Sequence, residues 1–361
     1  MSSDQLYLVT GAAGFVGGHL VRHLKDKGLR VRAMVRNPAQ AGPLEKIADE
    51  VVFADLTEPD TLAAAVAGVA GIHHVAGLFR QEGVPDELFN DVNAEGTRRL
   101  FEAAIAAGVP RIVHCSTNGV HSHIDHPPAD ETYPFNPSDI YQQSKLDGEM
   151  IAMDYFNGGR ISGVVIRPAM IWGPGDDRTL KMFRMIAKGH FFYVGPGDAL
   201  HHWLDVRDLA ESFRLAMDCD HNAEAFLIGG REYLPMKKIA DEIARQLGVG
   251  KPWLHLPVGP MMLLAHATEI VCKPFGIEPP LFRRRVSFFL KSRAYDISKA
   301  HRMLNFEPRQ NIEGEIADII DTCESEGKLA RSAKAARSDT TRNRPDDNRL
   351  ARVPVQPRSR N

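Results

Sequence analysis

An apolar run, Leu6-Tyr7-Leu8-Val9, ends in Thr10-Gly11-Ala12-Ala13-Gly14-Phe15-Val16-Gly17, and a stretch with helical apolar spacing follows (Phe15, Val16, Leu20, Leu24). Glycines at i, i+3 and i+6 between a buried strand and a helix constrain a chain strongly. The first permits a tight turn, the second lets the backbone approach a pyrophosphate, and the third permits close packing of helix on strand. The N–H groups and dipole at the start of the helix favour phosphate. Gly11, Gly14, Phe15, Val16 and Gly17 are therefore read as a dinucleotide loop; the alternative is a tight strand–helix turn with no ligand. Beyond it, short apolar segments at Leu29–Val35, Val51–Ala54, Gly71–Ala76, Arg111–Cys115 and Gly163–Ile166 alternate with helical stretches at Thr61–Ala67, Phe89–Ala107 and Ile140–Phe156. This alternation predicts an α/β fold, a doubly wound parallel sheet covered on both faces. Residues 1–168 are read as this Rossmann core, with segments at about 200–230 packing back onto it. Residues 169–326 are read as a smaller, mainly substrate-binding region, with helices at about 179–188, 207–217 and 235–247.

Length and composition set outer bounds. The chain has 361 residues, 43% hydrophobic and 25% charged, with a formal net charge of −2. That balance is ordinary for a globular protein and is not built for polyanions, so no nucleic-acid partner is expected. The average hides a basic tail: residues 327–361 carry ten Lys/Arg and three Asp, a net +7. The tail has almost no bulky apolar residues and is predicted to be disordered; it is read as a solvated extension in preference to one that makes weak contact with a membrane surface or nucleic acid. Cys115, Cys219, Cys272 and Cys323 lie far apart and form no disulfide-like or metal-like spacing. With no apparent signal peptide and no apolar run of about 18 residues, a cytoplasmic location is expected.

Tyr141-Gln142-Gln143-Ser144-Lys145 supplies candidate chemistry. A helix puts residues i and i+4 on one face. Tyrosine ordinarily loses its proton near pH ~10, and an ammonium one turn away is expected to lower that value. Such a phenol can exchange a proton with an alcohol or carbonyl. The second strand ends Met34-Val35-Arg36-Asn37-Pro38 with no acid, and Arg36 there favours a 2′-phosphate, hence NADP over NAD. Asp55-Leu56 follows the third strand; Asp55 is read either as an adenine contact or as the cap of the next turn.

Together these motifs resemble the extended short-chain dehydrogenase/reductases over about residues 5–325. Asp55-Leu56, His74-Val75-Ala76-Gly77, Asn93-Ala94-Glu95-Gly96-Thr97, Cys115-Ser116-Thr117 and Arg167-Pro168-Ala169-Met170-Ile171-Trp172-Gly173-Pro174-Gly175 match further family segments. The resemblance implies that Tyr141 is the general acid/base and that Lys145 tunes it and holds the nicotinamide ribose. It implies that Thr117, rather than Ser116, hydrogen-bonds the substrate oxygen. Asp55, Leu56, Ala76 and Pro168 would line the cofactor, and Asn93 would support the site. Family members that eliminate water carry Asp-Glu after the threonine; here Asn118-Gly119 stands there, which argues against dehydration. Val120-His121-Ser122 replaces the family's Val-Tyr-Gly and puts a particular sugar specificity in doubt. A homodimer is expected by the same analogy.

His114, His121, His123 and His126 fit no metal-ligand spacing and are read as an exposed histidine-bearing loop, so no metal site is expected. His201-His202 is read as structural. Pro260–Leu264 and Pro274–Phe282, rich in Met and Pro, are read as core or as the lining of an apolar pocket. With Tyr295–Ala300 and Leu304–Pro308 they resemble the branch of 3β-hydroxysteroid and sterol-4-carboxylate dehydrogenases. The expected substrate is thus a small molecule, a sterol or steroid 3β-alcohol, or a 4-carboxysterol that loses CO₂ after oxidation. Arg283–Arg285 keeps a nucleotide-sugar 4-epimerase with bound NAD open, and a dihydroflavonol-reductase-like ketone reductase shares the marks. A dinucleotide-sensing protein without catalysis is the remaining class.

Overall fold

The computed structural model describes residues 1–80, 83–272 and 281–331. Among the described residues twelve strands run in chain order: β1 Leu6–Thr10, β2 Arg30–Val35, β3 Glu50–Phe53, β4 Gly71–His74, β5 Arg111–Cys115, β6 Ser162–Pro168, β7 Met170–Trp172, β8 Phe192–Val194, β9 Leu200–Asp205, β10 Glu224–Ile228, β11 Tyr233–Pro235 and β12 Leu254–Leu256. Seven form the central sheet in the order β10-β6-β5-β4-β1-β2-β3, each neighbouring pair parallel. The order reverses between β1 and β4, so a crevice opens there, beyond the carboxyl ends of the strands.

Parallel strands need both faces covered, which is why they read as continuous apolar runs. On one face Val9, Val31, Val113, Ile166 and Phe226 pack with Leu20 and Leu24 of helix Phe15–Asp26 and with Leu209 and Phe213 of helix Val206–Asp218. On the other, Leu8, Ile72, Ile112 and Val165 pack with helices Pro59–Val66, Gly96–Ala106 and Ile140–Asn157 through Leu62, Leu100, Phe101, Tyr155 and Phe156. A separate core holds the C-terminal elements. There the stacked Trp172 and Trp203, 4.4 Å apart, meet Phe183, Ile239, Ile243, Ile316 and Ile320. The sheet β11-β9-β7 and the pair β12-β8 belong to this part.

Several expectations are corrected. The stretch predicted as one helix over 89–107 is three: Asp86–Asn90, a π-helical turn Asp91–Glu95, and Gly96–Ala106. Gly148 of helix Ile140–Asn157 lies against this turn without a side chain; a Cβ there would lie 2.2 Å from the Asn93 carbonyl oxygen. The apolar stretch Val258–Cys272 is a helix, yet Ala265 is its one buried residue. Met261 and Met262 pack against Val194 and Val286, while Leu263, Leu264, Ile270 and Val271 face outward. The histidine reading holds in part: His126 is exposed and His123 partly exposed in the loop, but His114 lies inside β5 and His121 in the following turn, both buried. Among the described residues no group of three or more His, Cys, Asp or Glu could hold a metal ion, and no helix is long and apolar enough to cross a membrane. Most of Pro274–Phe282 and of the basic tail lies outside the described residues.

Candidate active site

The glycine loop is shaped by three contacts, two of which a side chain would destroy. Gly11 has φ +66°, a region costly for L-residues, and a Cβ on it would sit 2.8 Å from the Ala76 Cα. Gly14 opens the helix as its N-cap and donates to the Gly11 carbonyl at 2.9 Å. A Cβ on Gly17 would be 2.2 Å from the Gly11 carbonyl oxygen. The third glycine therefore packs the helix on the loop's own backbone rather than on the strand. The result is a side-chain-free cradle at a helix N-terminus, with Ala13 and Gly14 exposed. These residues fit a dinucleotide pyrophosphate.

A hydrogen-bonded chain ties this cradle to the rest of the crevice. The N–H groups of Val75 and Ala76 donate to Thr10 Oγ1 at 3.1 and 3.0 Å. Thr10 Oγ1 lies 2.9 Å from His74 Nδ1, and His74 Nε2 lies 3.1 Å from Thr97 Oγ1. Thr97 in turn donates to the Asn93 carbonyl at 2.8 Å. Each hydroxyl has one hydrogen, so His74 carries its proton on Nε2. Burial, with the charge of Lys145, pushes His74 down to about 3 and keeps it neutral. The π-helical turn aims Asn93 inward, where it accepts from the Leu78 N–H at 2.7 Å and donates to Leu78 O and Ser144 Oγ at 3.0 and 2.9 Å.

Tyr141 and Lys145 lie one turn apart on helix Ile140–Asn157, whose N-cap Asp139 accepts from the Gln142 N–H at 2.8 Å. Thr117 follows β5, caps the next turn by accepting from the Gly119 N–H at 3.0 Å, and stays partly exposed. Ser116 turns inward and donates to Glu149 Oε2 at 2.5 Å. The expected lowering of the Tyr141 proton affinity is corrected: burial pushes the phenol up to about 12, although Arg80 and the Thr117 side chain act to lower it. The Lys145 ammonium is buried, lowered by that burial, and donates to the Cys115 carbonyl at 2.5 Å. Desolvation outweighs the groups that favour the phenolate here.

Other groups at the crevice were silent in the sequence. Arg80 lies over the Tyr141 ring, 4.8 Å from its centroid, and donates to Asp139 Oδ2 at 2.9 Å. Phe79 meets Tyr141 edge-on at 5.1 Å. Arg178 lies over both Phe15 and Phe79, at 5.3 and 5.6 Å. Glu149 accepts from Arg167 Nε at 2.9 Å as well as from Ser116, all three buried. The one available hint was spacing, since Glu149 falls four residues after Lys145 on the same helical face.

At the other end of the crevice Arg36 follows β2, is 69% exposed, and lies 3.8 Å from Asp55. Asp55 Oδ1 accepts from the Thr57 N–H and hydroxyl, both at 2.9 Å, so it caps its own turn. Leu56 is buried against Gly96. Ala76 borders Gly11, and Pro168 closes β6 opposite Ile228.

A parallel sheet of this order, with a glycine cradle and a Tyr/Lys helix at its switch point, defines a nucleotide-binding oxidoreductase of the short-chain type. Residues 7–229 match the model of the NAD dependent epimerase/dehydratase family, and the chain belongs to that family. It is 31% identical over 318 residues to a 3 beta-hydroxysteroid dehydrogenase/Delta 5-->4-isomerase of Mycobacterium tuberculosis, covering 83% of this chain and 85% of that one. It is 32% identical to sterol demethylase protein B of Methylococcus capsulatus, over 69% of this chain and 77% of that one. A dTDP-glucose 4,6-dehydratase of Streptomyces venezuelae, solved with NAD, shares the fold with a TM-score of 0.71 at 22% identity, over 89% and 97% of the two chains. The chain is an NAD-dependent oxidoreductase of the extended short-chain type.

Proposed function

We propose that the protein interconverts a secondary alcohol and a ketone, with a steroid or sterol 3β-hydroxyl as substrate class. The observation that carries this reading is the convergence of Tyr141 and the partly exposed Thr117 beside the glycine cradle, with Lys145 buried behind them. The cradle at Gly11, Gly14 and Gly17 would hold the pyrophosphate, Lys145 the nicotinamide ribose, and Arg36 a 2′-phosphate, which favours NADP. The bound nicotinamide supplies a hydride acceptor or donor. Tyr141 moves the hydroxyl proton, and Thr117 steadies the substrate oxygen by a hydrogen bond. Proton release from a phenol held near 12 needs a nearby positive charge, which Lys145, one turn away on the same helix, would supply with the cofactor bound. Asn118 and Gly119 carry no proton-transfer group, which keeps the chemistry to oxidation and reduction. The sterol and steroid relatives support the substrate class.

Steady-state oxidation of a panel of 3β-hydroxysteroids with NADP⁺ and NAD⁺ tests this. Turnover of at least one is expected, with Tyr141→Phe lowering kcat by about 10²–10⁴-fold; no nicotinamide reduction with any member overturns it. A nucleotide-sugar epimerase would draw on Arg283–Arg285. Arg283, however, pairs with Glu269 at 2.7 Å, and Arg284 and Arg285 lie on the Phe282 ring. Cofactor released from denatured protein decides between them: tightly held NAD⁺ is the epimerase result.

A further inference from the structure

The segment that opens the C-terminal region is anchored at the mouth of the cofactor crevice. His19, on the helix that follows the glycine cradle, donates through Nε2 to the Pro174 carbonyl at 3.1 Å, and its ring meets Phe15 edge-on at 5.1 Å. Two residues beyond Pro174, Asp176 caps helix Asp177–Ala187. It accepts from the Arg178 N–H at 3.0 Å and from Arg178 Nε at 2.8 Å. So held, the Arg178 guanidinium lies over the Phe15 ring and the Phe79 ring. Phe15 is the first helical residue after the cradle, and Phe79 touches Tyr141. Arg178 therefore bridges the two ends between which a dinucleotide would run, from the cradle to Tyr141 and Lys145.

These contacts leave Arg178 with donors to offer. Nε and one amino nitrogen reach Asp176, at 2.8 and 3.3 Å, and that same nitrogen donates to the Ile171 carbonyl at 3.4 Å. The other amino nitrogen donates to no group among the described residues, and the side chain is 47% exposed. The buried Asp176 carboxylate also accepts from the Thr179 hydroxyl at 3.1 Å, which makes it a fixed anchor for the arginine. The cradle needs what Arg178 has. From Gly11 to Gly17 it carries no charged side chain, so it meets a pyrophosphate with backbone dipoles only. A guanidinium held on aromatic faces at its border supplies the missing full charge.

We propose that Arg178 is a clamp on the dinucleotide, pairing its guanidinium with the pyrophosphate that the glycine cradle holds. The planar fork suits two phosphate oxygens. Asp176, Phe15 and Phe79 pre-organise it, so little side-chain freedom is lost on binding. Helix Asp177–Ala187 packs into the C-terminal core through Leu180, Phe183 and Ile186. The clamp therefore makes the cofactor a contact between the nucleotide-binding sheet and the substrate-binding region. It rests on the reading of Gly11, Gly14 and Gly17 as a pyrophosphate cradle, and it holds whichever alcohol reacts at Tyr141.

Fluorescence titration with NADH and NADPH, without substrate, tests it. Arg178→Met keeps an apolar stem on the two rings and is expected to weaken the tighter-binding dinucleotide about tenfold or more; Arg178→Lys should recover part of that loss. Adenosine, which has no diphosphate, should compete equally well against all three proteins. A second measurement needs no variant: ADP-ribose should shield Arg178 of the wild type from phenylglyoxal, read by peptide mass. Dinucleotide affinity in Arg178→Met within about twofold of wild type, or equal modification of Arg178 with and without ADP-ribose, overturns the clamp. Equal losses for dinucleotide and adenosine place the effect away from the pyrophosphate and overturn it too. Wild type that binds neither dinucleotide sinks the cradle reading, and the clamp with it.

Discussion

Tyr141 shows how a single residue can have its place but not its electrostatics legible in sequence. The i to i+4 spacing correctly puts Lys145 on its face, but the ammonium spends itself on the Cys115 carbonyl, and burial decides the phenol's proton affinity. Without cofactor, Tyr141 should therefore remain protonated at pH 10. Ultraviolet difference titration of wild type against Tyr141→Phe checks this: the two should ionise equal numbers of tyrosines up to pH 10 and diverge only toward about 12. An extra phenolate in wild type near pH 8 would contradict the desolvated site. Added NADP⁺ should move the divergence to lower pH, because it draws the Lys145 charge toward the ring.

Among elements, the loop-to-helix junction carries the sharpest steric constraint. Helix Phe15–Asp26 is held on the sheet by Leu20 and Leu24, both fully buried, so it cannot retreat from the loop. Gly17→Ala would press a methyl against the Gly11 carbonyl, backbone against backbone, at a cost of about 1–3 kcal/mol. Dinucleotide affinity should fall about tenfold or more, one decade for each ~1.4 kcal/mol lost. Gly18→Ala is the control, since its Cβ would meet the Ala12 carbonyl oxygen at an ordinary 3.5 Å; it should bind and melt like wild type. Helix propensity favours Ala over Gly in both variants, so equal losses in both would mean that a general defect in folding or expression, not the cradle, is responsible. The neighbouring π-helical turn belongs to the same scale. Apolar periodicity read through Phe89–Ala107 as one helix because a one-residue bulge barely disturbs it.

At the scale of the whole molecule, buried neutral histidines couple stability to acid. Burial holds His73, His74 and His201 down to about 3, His202 to about 4, and His114 well below its ordinary value. Unfolded histidines take up protons near pH ~6.5, whereas these do not while the chain is folded. Below that pH the unfolded state binds more protons, so the stabilisation present above 6.5 is lost as pH falls toward about 3–4. Each group contributes roughly 1.4 kcal/mol per pH unit in that window. Urea unfolding should show a steep loss from pH 7 to pH 5. His73→Phe should flatten that slope by about one histidine's share. His73 makes no hydrogen bond and sits 6.1 Å from the Phe213 ring. A pH-independent midpoint would show that these side chains charge inside the fold.

The glycine loop, the strand–helix alternation and the Tyr141/Lys145 pair were legible from sequence because each follows from short-range causes: steric limits on backbone, and periodicities of two and 3.6 residues. Those features determined the parallel sheet and the family. Tertiary structure alone decided the rest. It desolvated the Tyr141 phenol, turned Ser116 onto Glu149, and left one side of helix Val258–Cys272 outside the core. It also brought Arg80 to within 5 Å of the Tyr141 ring from 61 residues away, and set Lys291 against Ser138 across 153. Desolvation and charge balance are sums over neighbours that only the folded chain assembles. Strand pattern therefore specified where a nucleotide would lie, while the electrostatic character of the substrate crevice arose from packing.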